Sequence, residues 1–283
     1  MKTIKIKTPA KINLTLEVLN KRSDGFHNIQ SVMQAISLYD YLTFEIDFAQ
    51  TNTIILSGNS EAIPYNESNL IYKATDKFLK EIGIQGIKVK VFIEKNIPVS
   101  AGLAGGSTNA AGTFFALNKL FNNALSDDEI DKLCASLGSD LNFCLKGGCY
   151  LCTSRGEVLE KLPVYKQKVS LIKPKNLGIS AKEAYMNFAK LEDKSNPDNT
   201  TKLKNLLLQN KFDKNLLYNS LEKALFPVYE ELRNIKTNTN DSLMSGSGST
   251  FFVLNDKIHT SLNKSEYDIF EDLETIDTGV REA

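Results

Sequence analysis

Pro98-Val99-Ser100-Ala101-Gly102-Leu103-Ala104-Gly105-Gly106-Ser107-Thr108-Asn109-Ala110-Ala111 is the stretch on which the reading of this chain turns. Its glycines let a backbone approach a ligand without Cβ clashes. The apolar residues that follow, Ala110, Ala111, Phe114, Phe115, Leu117 and Phe121, fall on one broad helical face. A helix beginning near Ser107 aims its unpaired N–H groups and positive dipole end back at the loop, and phosphate is the guest that suits such a place. The loop is not a Walker A sequence, because no lysine precedes the Ser-Thr pair, and it lacks the Gly-x-Gly-x-x-Gly of a dinucleotide fold. Taken alone, a glycine-rich turn at the head of a helix is as often structural as functional.

Downstream, Ser126 and Glu129 stand at capping-box spacing ahead of Ile130, Leu133, Cys134 and Leu137, which predicts a helix over 126–137. Gly138 suits the left-handed position that ends it and delivers Ser139-Asp140 to a defined point. Upstream, 69–82 carries Leu70, Ile71, Ala74, Phe78 and Leu79 at helical spacing, and strands are expected at 41–46, 53–56 and 87–93. Near the start, Ile12, Leu14, Leu16 and Val18 alternate with Lys11, Asn13, Thr15 and Glu17, giving one apolar and one polar strand face. By itself the polar face reads as solvated, Lys11 included.

Beyond about residue 160 the texture changes. A strand is expected at 169–173, a helix at 181–189, an exposed polar loop at 192–202, and helical segments at 203–210 and 216–233. Met244-Ser245-Gly246-Ser247-Gly248-Ser249-Thr250 then runs into an apolar strand, Phe251 to Leu254, followed by a helix and a final strand. The mixture reads as α+β, without short internal repeats.

At 283 residues, 42% hydrophobic and 24% charged, the chain has the balance of a soluble globular protein of about two domains. Disorder, collagen repeats and a small disulfide scaffold are excluded. Thirty-four Lys plus Arg balance thirty-four Asp plus Glu, so no global field draws a nucleic acid or an anionic membrane, and an anionic small molecule must be held by a local site. The Lys-Ile alternation of the first residues lacks the apolar core of a secretory signal, and no later run suits a bilayer; both point to the cytoplasm. The four cysteines then read as free thiols. Cys149 and Cys152 lie three apart on an expected strand, point to opposite faces and cannot share a metal. The only histidines are His27 and His259, in unrelated contexts.

The phosphate-loop segment closely resembles that of the GHMP kinases, whose core reads Pro-x-x-x-Gly-Leu-Gly-Gly-Gly-Ser-Ser before a small-residue helix. Two further family blocks occur in the same order, Pro9-Ala10-Lys11-Ile12-Asn13-Leu14 and Met244 to Thr250. The resemblance implies a two-domain GHMP kinase fold that binds ATP between its halves. It places a ribosomal-protein-S5-domain-2-like ATP-binding domain over 1–160 and a ferredoxin-like domain over 161–283. Within the family, Arg22-Ser23-Asp24-Gly25-Phe26-His27, Lys95-Asn96-Ile97-Pro98, Gly138-Ser139-Asp140, Arg155-Gly156-Glu157 and Asn219-Ser220-Leu221-Glu222 look like the branch that phosphorylates the 2-hydroxyl of 4-diphosphocytidyl-2-C-methylerythritol.

Phosphoryl transfer to an alcohol needs a carboxylate to accept the hydroxyl proton and positive charge near the transferring group. On the resemblance those tasks fall to Asp140 and Lys11; without it, Asp140 reads as a turn or N-cap aspartate. Asn13 shares the strand face of Lys11 and would orient the hydroxyl or the diphosphate, while His27 would read the cytosine edge with Phe26 and Tyr185 as stacking faces. The ATP site is expected at Lys95, Pro98, Gly102, Leu103, Ala104, Gly105, Gly106, Ser107, Thr108, Gly246, Ser247 and Gly248. Mg²⁺ is expected with the nucleotide, its protein ligands unassigned beyond Ser107 or Thr108 as candidates. Quaternary state is left between a monomer and a weak homodimer.

The chain departs from the family at several points. Ala104 stands where glycine is usual, Thr108-Asn109 where Ser-Asp is usual, Leu-Asn-Phe-Cys follows Asp140 in place of Val-Pro-Phe-Phe, Ala181 replaces threonine, and Phe26 replaces tyrosine. Two other readings stay open: another small-molecule GHMP kinase, and a non-catalytic nucleotide-binding protein on the same fold.

Overall fold

The alternation at the start of the chain belongs to a much longer strand. In the computed structural model, which describes residues 2–283, β1 (Lys2–Lys21) runs antiparallel to β2 (His27–Phe48), with register shifts after Pro9, Asn13 and Val18. Arg22 to Phe26 make the turn between them: Gly25 takes φ +88°, and the Asp24 carboxylate accepts from the Arg22 guanidinium and from Phe26 N–H.

The first half continues through β3 (Thr53–Gly58), α1 (Leu70–Glu81), β4 (Ile87–Glu94), α2 (Gly105–Leu120), α3 (Asp127–Leu137), α4 (Leu141–Lys146), β5 (Cys149–Ser154) and β6 (Val158–Leu162). β2 is the hub of this sheet, pairing with β1 on one side and with β4 and β5 on the other, while β3 adds parallel to β4 and β6 pairs with β5. The helices cover the sheet's apolar face, where Phe44, Phe78 and Phe114 are fully buried. Asn69 caps α1 by accepting from Ile71 N–H, and both bonds of the Ser126–Glu129 capping box form at α3.

The second half holds β7 (Lys168–Pro174), α5 (Ala181–Ala189), α6 (Asn199–Leu207), β8 (Tyr218–Asn219), α7 (Ser220–Leu225), α8 (Glu230–Asn238), β9 (Leu243–Met244), β10 (Phe251–Leu254), β11 (Tyr267–Glu274) and β12 (Arg281–Glu282). Its sheet runs β11-β7-β10-β9 with antiparallel neighbours, the 4-1-3-2 order of a ferredoxin-like unit. β8 and β12 leave this sheet and pair with β1, so the two halves interlock, and Phe188, Leu225 and Phe251 share one apolar cluster with Phe44 and Phe114.

Four expectations are corrected. Gly138 is extended, at φ −179° and ψ 159°, because the chain passes through Ser139 and Asp140 straight into α4. The helix expected after β10 is absent among the described residues; a single 3₁₀ turn at Lys264–Glu266 stands there, since 255–263 offers only Ile258 and Leu262 as large apolar residues. The helical run at 216–233 is broken by β8 at Tyr218 and Asn219, and again near Pro227. The polar stretch 192–202 turns helical at Asn199, and Thr200 is buried against Thr15.

Candidate active site

All four residues of β1's polar face are buried: Lys11 is 4%, Asn13 1%, Thr15 0% and Glu17 2% exposed. The solvated reading of that face therefore fails, because segments distant in sequence close over it. Lys11 Nζ donates to Asn13 Oδ1 at 2.5 Å and to the carbonyl of Gly102 at 2.9 Å, and its backbone N–H donates to Leu103 O. Asn13 Nδ2 in turn donates to Ser31 Oγ at 2.8 Å. The ammonium is thus aimed by neutral oxygens, with no carboxylate bonded to it among the described residues.

The glycine-rich loop arrives from the other side. Gly102 takes φ +74°, and a Cβ there would run into the carbonyl of Ser245. Ala104 takes the left-handed conformation at φ 59° as the N-cap, and α2 starts at Gly105, two residues before the expected Ser107. The first backbone bond of the helix runs from Thr108 N–H to Ala104 O, leaving the N–H groups of Gly105, Gly106 and Ser107 for a ligand. The second glycine motif closes over this corner. Ser245 Oγ donates to Gly102 O at 3.0 Å, and Gly246 lies so near Lys11 and Asn13 that a Cβ would sit 2.9 Å from Lys11 Nζ.

Asp140 stands at the head of α4 with its side chain free of any cap bond, beside Gly156. It lines one cleft of about 850 Å³ with Lys11, Asn13, Pro98, Gly102, Ala104, Gly105, Gly106, Ser107, Gly246 and Ser247. Lys11 and Asp140 form no ion pair among the described residues. Leu103 and Gly248 lie outside the lining, and Thr108 turns its side chain into the core beside Cys144. Of the two hydroxyls considered for a metal, only Ser107 reaches the cleft.

Phe26, His27 and Tyr185 line the same cleft. The His27 ring stacks on Tyr185 at 5.7 Å and meets Phe188 edge-on, and burial, then the nearby Lys21 and Lys194, hold its pKa below the ordinary 6.5. The imidazole is therefore neutral at pH 7, with one donor and one acceptor to offer. Phe26 is 51% exposed, with the Arg155 guanidinium 5.2 Å from its ring centre. Burial, and then Asp140, push the Tyr185 phenol well above its usual range.

Several contributors carry no motif of their own. Asp40, fully buried in β2, accepts from Asn96 N–H and Ile97 N–H through Oδ1, and from Lys95 Nζ at 2.6 Å and Asn109 Nδ2 at 2.9 Å through Oδ2. It thereby ties the entry of the phosphate loop to the first turn of α2. The unusual Asn109 acts as a donor here, where an aspartate would set two carboxylates together. Lys21, Arg155 and Lys182 also line the cleft. The only advance signal for any of these was the Arg155-Gly156-Glu157 block. All four cysteines are free and buried, and burial pushes the Cys134 and Cys149 thiols up to about 12, as inert structural thiols require. Among the described residues no group of three or more His, Cys, Asp or Glu could hold a metal, and no helix is long and apolar enough to cross a membrane.

The sequence model of the GHMP kinases N terminal domain matches residues 69–148. The chain is 36% identical over 280 residues to a 4-diphosphocytidyl-2-C-methyl-D-erythritol kinase of Clostridium beijerinckii, covering 94% of this chain and 98% of that protein. It is 38% identical over 281 residues to the Prochlorococcus marinus protein of the same name, covering 91% and 88%. Among solved structures, a 4-(cytidine 5'-diphospho)-2C-methyl-D-erythritol kinase superposes with a TM-score of 0.72 at 24% identity over 96% of this chain and all of that one. A homoserine kinase from Cytophaga hutchinsonii superposes at 0.74 with 18% identity, over 100% and 98%; at that distance the likeness speaks for the fold alone.

Proposed function

The chain belongs to the 4-diphosphocytidyl-2-C-methyl-D-erythritol kinases of the GHMP kinase family, and from that premise we propose how its residues carry the reaction of the relatives it matches. The γ-phosphoryl of ATP passes to the 2-hydroxyl of 4-diphosphocytidyl-2-C-methyl-D-erythritol, a step of isoprenoid precursor synthesis. The observation that carries the assignment of roles is that one cleft is lined by Lys11, Asp140, the phosphate loop and the Phe26–His27–Tyr185 cluster.

On this reading the free N–H groups at the head of α2 hold the nucleotide's phosphates. Lys95, whose ammonium lies beneath Gly105 and pairs with Asp40, holds the head of α2 in place there. Phe26 and the His27–Tyr185 pair receive the cytosine, His27 pairing with its edge. Asn13 and Lys11 orient the polyol end, Asp140 accepts the proton of the attacking hydroxyl, and the Lys11 ammonium stabilises charge on the transferring oxygens. Ser107 is the hydroxyl best placed to contact Mg²⁺. With no acidic cluster nearby, the ion would be held mainly by phosphates and water, neutralising charge on them. The division near residue 160 would give the first half most of the ATP contacts. The protein would act in the cytoplasm as a monomer or weak homodimer, with neither nucleic acid nor membrane as partner.

The test is ADP release from Mg-ATP with the cytidyl acceptor beside mevalonate, homoserine and galactose. Selective turnover of the cytidyl compound is expected. Turnover of a control instead would discard the cytidine pocket, and nucleotide binding with no turnover would favour a non-catalytic protein.

A further inference from the structure

Asn219-Ser220-Leu221-Glu222 is given no task by the roles above, yet it occupies the junction between the halves. Asn219 is 2% exposed and sits in β8, where its backbone pairs with Leu16 of β1, the strand that carries Lys11 and Asn13. Its side chain is fully used. Oδ1 accepts from Leu221 N–H and so caps α7, while the two protons of Nδ2 go to the carbonyls of Met244 at 2.7 Å and Gly246 at 2.8 Å. Ser220 Oγ accepts from Val18 N–H at 3.0 Å, fixing the block to β1 a second time. Glu222 accepts from Met244 N–H at 2.9 Å and pairs with Lys236, which itself donates to Ser242 O. The turn at Met244–Gly246 is thus gripped at three backbone atoms by one short segment docked on β1.

Gly246 is the residue so gripped and also the one lying over Lys11 Nζ and Asn13 Oδ1. We propose that Asn219 is a positioning residue for phosphoryl transfer: it fixes the Gly246 turn against Lys11 and so sets where the ammonium stands. This rests on the roles proposed for Lys11 and Asp140. The N–H groups expected to hold most of the nucleotide's phosphates are on α2, which Asn219 does not touch; Gly246 is also expected in the ATP site, but it stands over Lys11 and Asn13, so the main effect falls on turnover rather than on nucleotide affinity. Small misplacements of groups that act in the transition state are costly out of proportion to their size.

Asn219→Ser tests this, because serine is as good an N-cap as asparagine but cannot span both carbonyls. Asn219→Asp is the second variant, keeping size and cap while presenting an acceptor to the two carbonyl oxygens. Thermal melting, kcat and both KM values are measured beside the unmodified protein. The expected result is a folded variant with kcat down about 10- to 100-fold and KM for ATP within about threefold. Unchanged kcat in a folded variant, a rise in KM for ATP at constant kcat, or failure of both variants to fold would each overturn the positioning role. Failure of the unmodified protein to turn over the cytidyl acceptor would sink the proposed reaction instead, leaving this inference to be read with whichever alcohol it does accept.

Discussion

Asp140 combines a free carboxylate with a place at the head of a short helix, next to a glycine that leaves room beside it. Replacing it by asparagine keeps the size and removes the carboxylate proposed as the base, so Asp140→Asn should retain nucleotide binding while kcat falls by about 10²- to 10⁴-fold; steady-state kinetics with a nucleotide titration decides it, and near-normal turnover would remove Asp140 from the proposed chemistry. His27 makes a pH prediction. Burial, then Lys21 and Lys194, lower its folded pKa, so on acidification the unfolded chain takes up the proton first. Its contribution to stability is constant above the ordinary 6.5 and is lost as pH falls through the window below it. Acceptor KM should accordingly stay flat from about pH 8 to about pH 7 and rise on further acidification, whereas a KM that rises on going up to pH 8 would mean a charged imidazole reads the base. Lys11, Asp140 and His27, to which the proposed reaction gives chemical roles, stand in motifs that single them out in the sequence. Asp40 does not, because a carboxylate in mid-strand announces its partners only when Lys95, Ile97 and Asn109 are brought to it.

Elements with local signals were read well, and those whose signals come from elsewhere were not. α1 and α3 begin where their caps stand, because Asn69 and the Ser126–Glu129 pair satisfy the N–H groups of their own first turns. The face of β1 that bears Lys11 could not be placed from alternation alone: its cover comes from the loop at 100–106 and the turn at 244–248, and periodicity within a strand carries no information about either. At α2 the start was misplaced by the left-handed Ala104, a conformation that costs a non-glycine residue about 1–2 kcal/mol. Glycine, usual in the family at this position, relieves that strain against its own loss of chain entropy. Ala104→Gly should therefore raise stability by about 0.5–1 kcal/mol and the thermal midpoint by about 1–3 °C, with kcat little changed because the N–H groups of 105–107 remain. A lower melting temperature would show that contacts of the Ala104 methyl outweigh the strain.

At the scale of the whole molecule, a formal net charge of zero hides a one-sided cleft. Lys11, Lys21, Lys95, Arg155 and Lys182 line it against Asp24 and Asp140, but several of these charges are spent locally: Lys95 on Asp40, Arg155 on Glu157 and Asp24 on Arg22. Lys11, Lys21 and Lys182 remain without a carboxylate partner among the described residues, against Asp140. Composition could not reveal this, since a sum over the chain carries no positions, just as two-residue strands such as β8 and β12 are too short to show the period that would have revealed how the halves interlock. The surplus suits an acceptor that brings two phosphates to a cleft already receiving a nucleotide. Lys11 is buried and only weakly screened, whereas cations nearer solvent are screened over about 10 Å at 0.1 M salt. Raising salt from about 0.05 M to about 0.5 M should then raise the acceptor KM by about 3- to 10-fold with kcat nearly constant. Inhibition by cytidine, which carries no phosphate, should hardly move over the same range. If cytidine weakens in parallel with the acceptor, salt is acting on the base pocket or the fold; if neither responds, the unpaired lysines do not face the diphosphate, and the acceptor's charge is met by backbone donors alone.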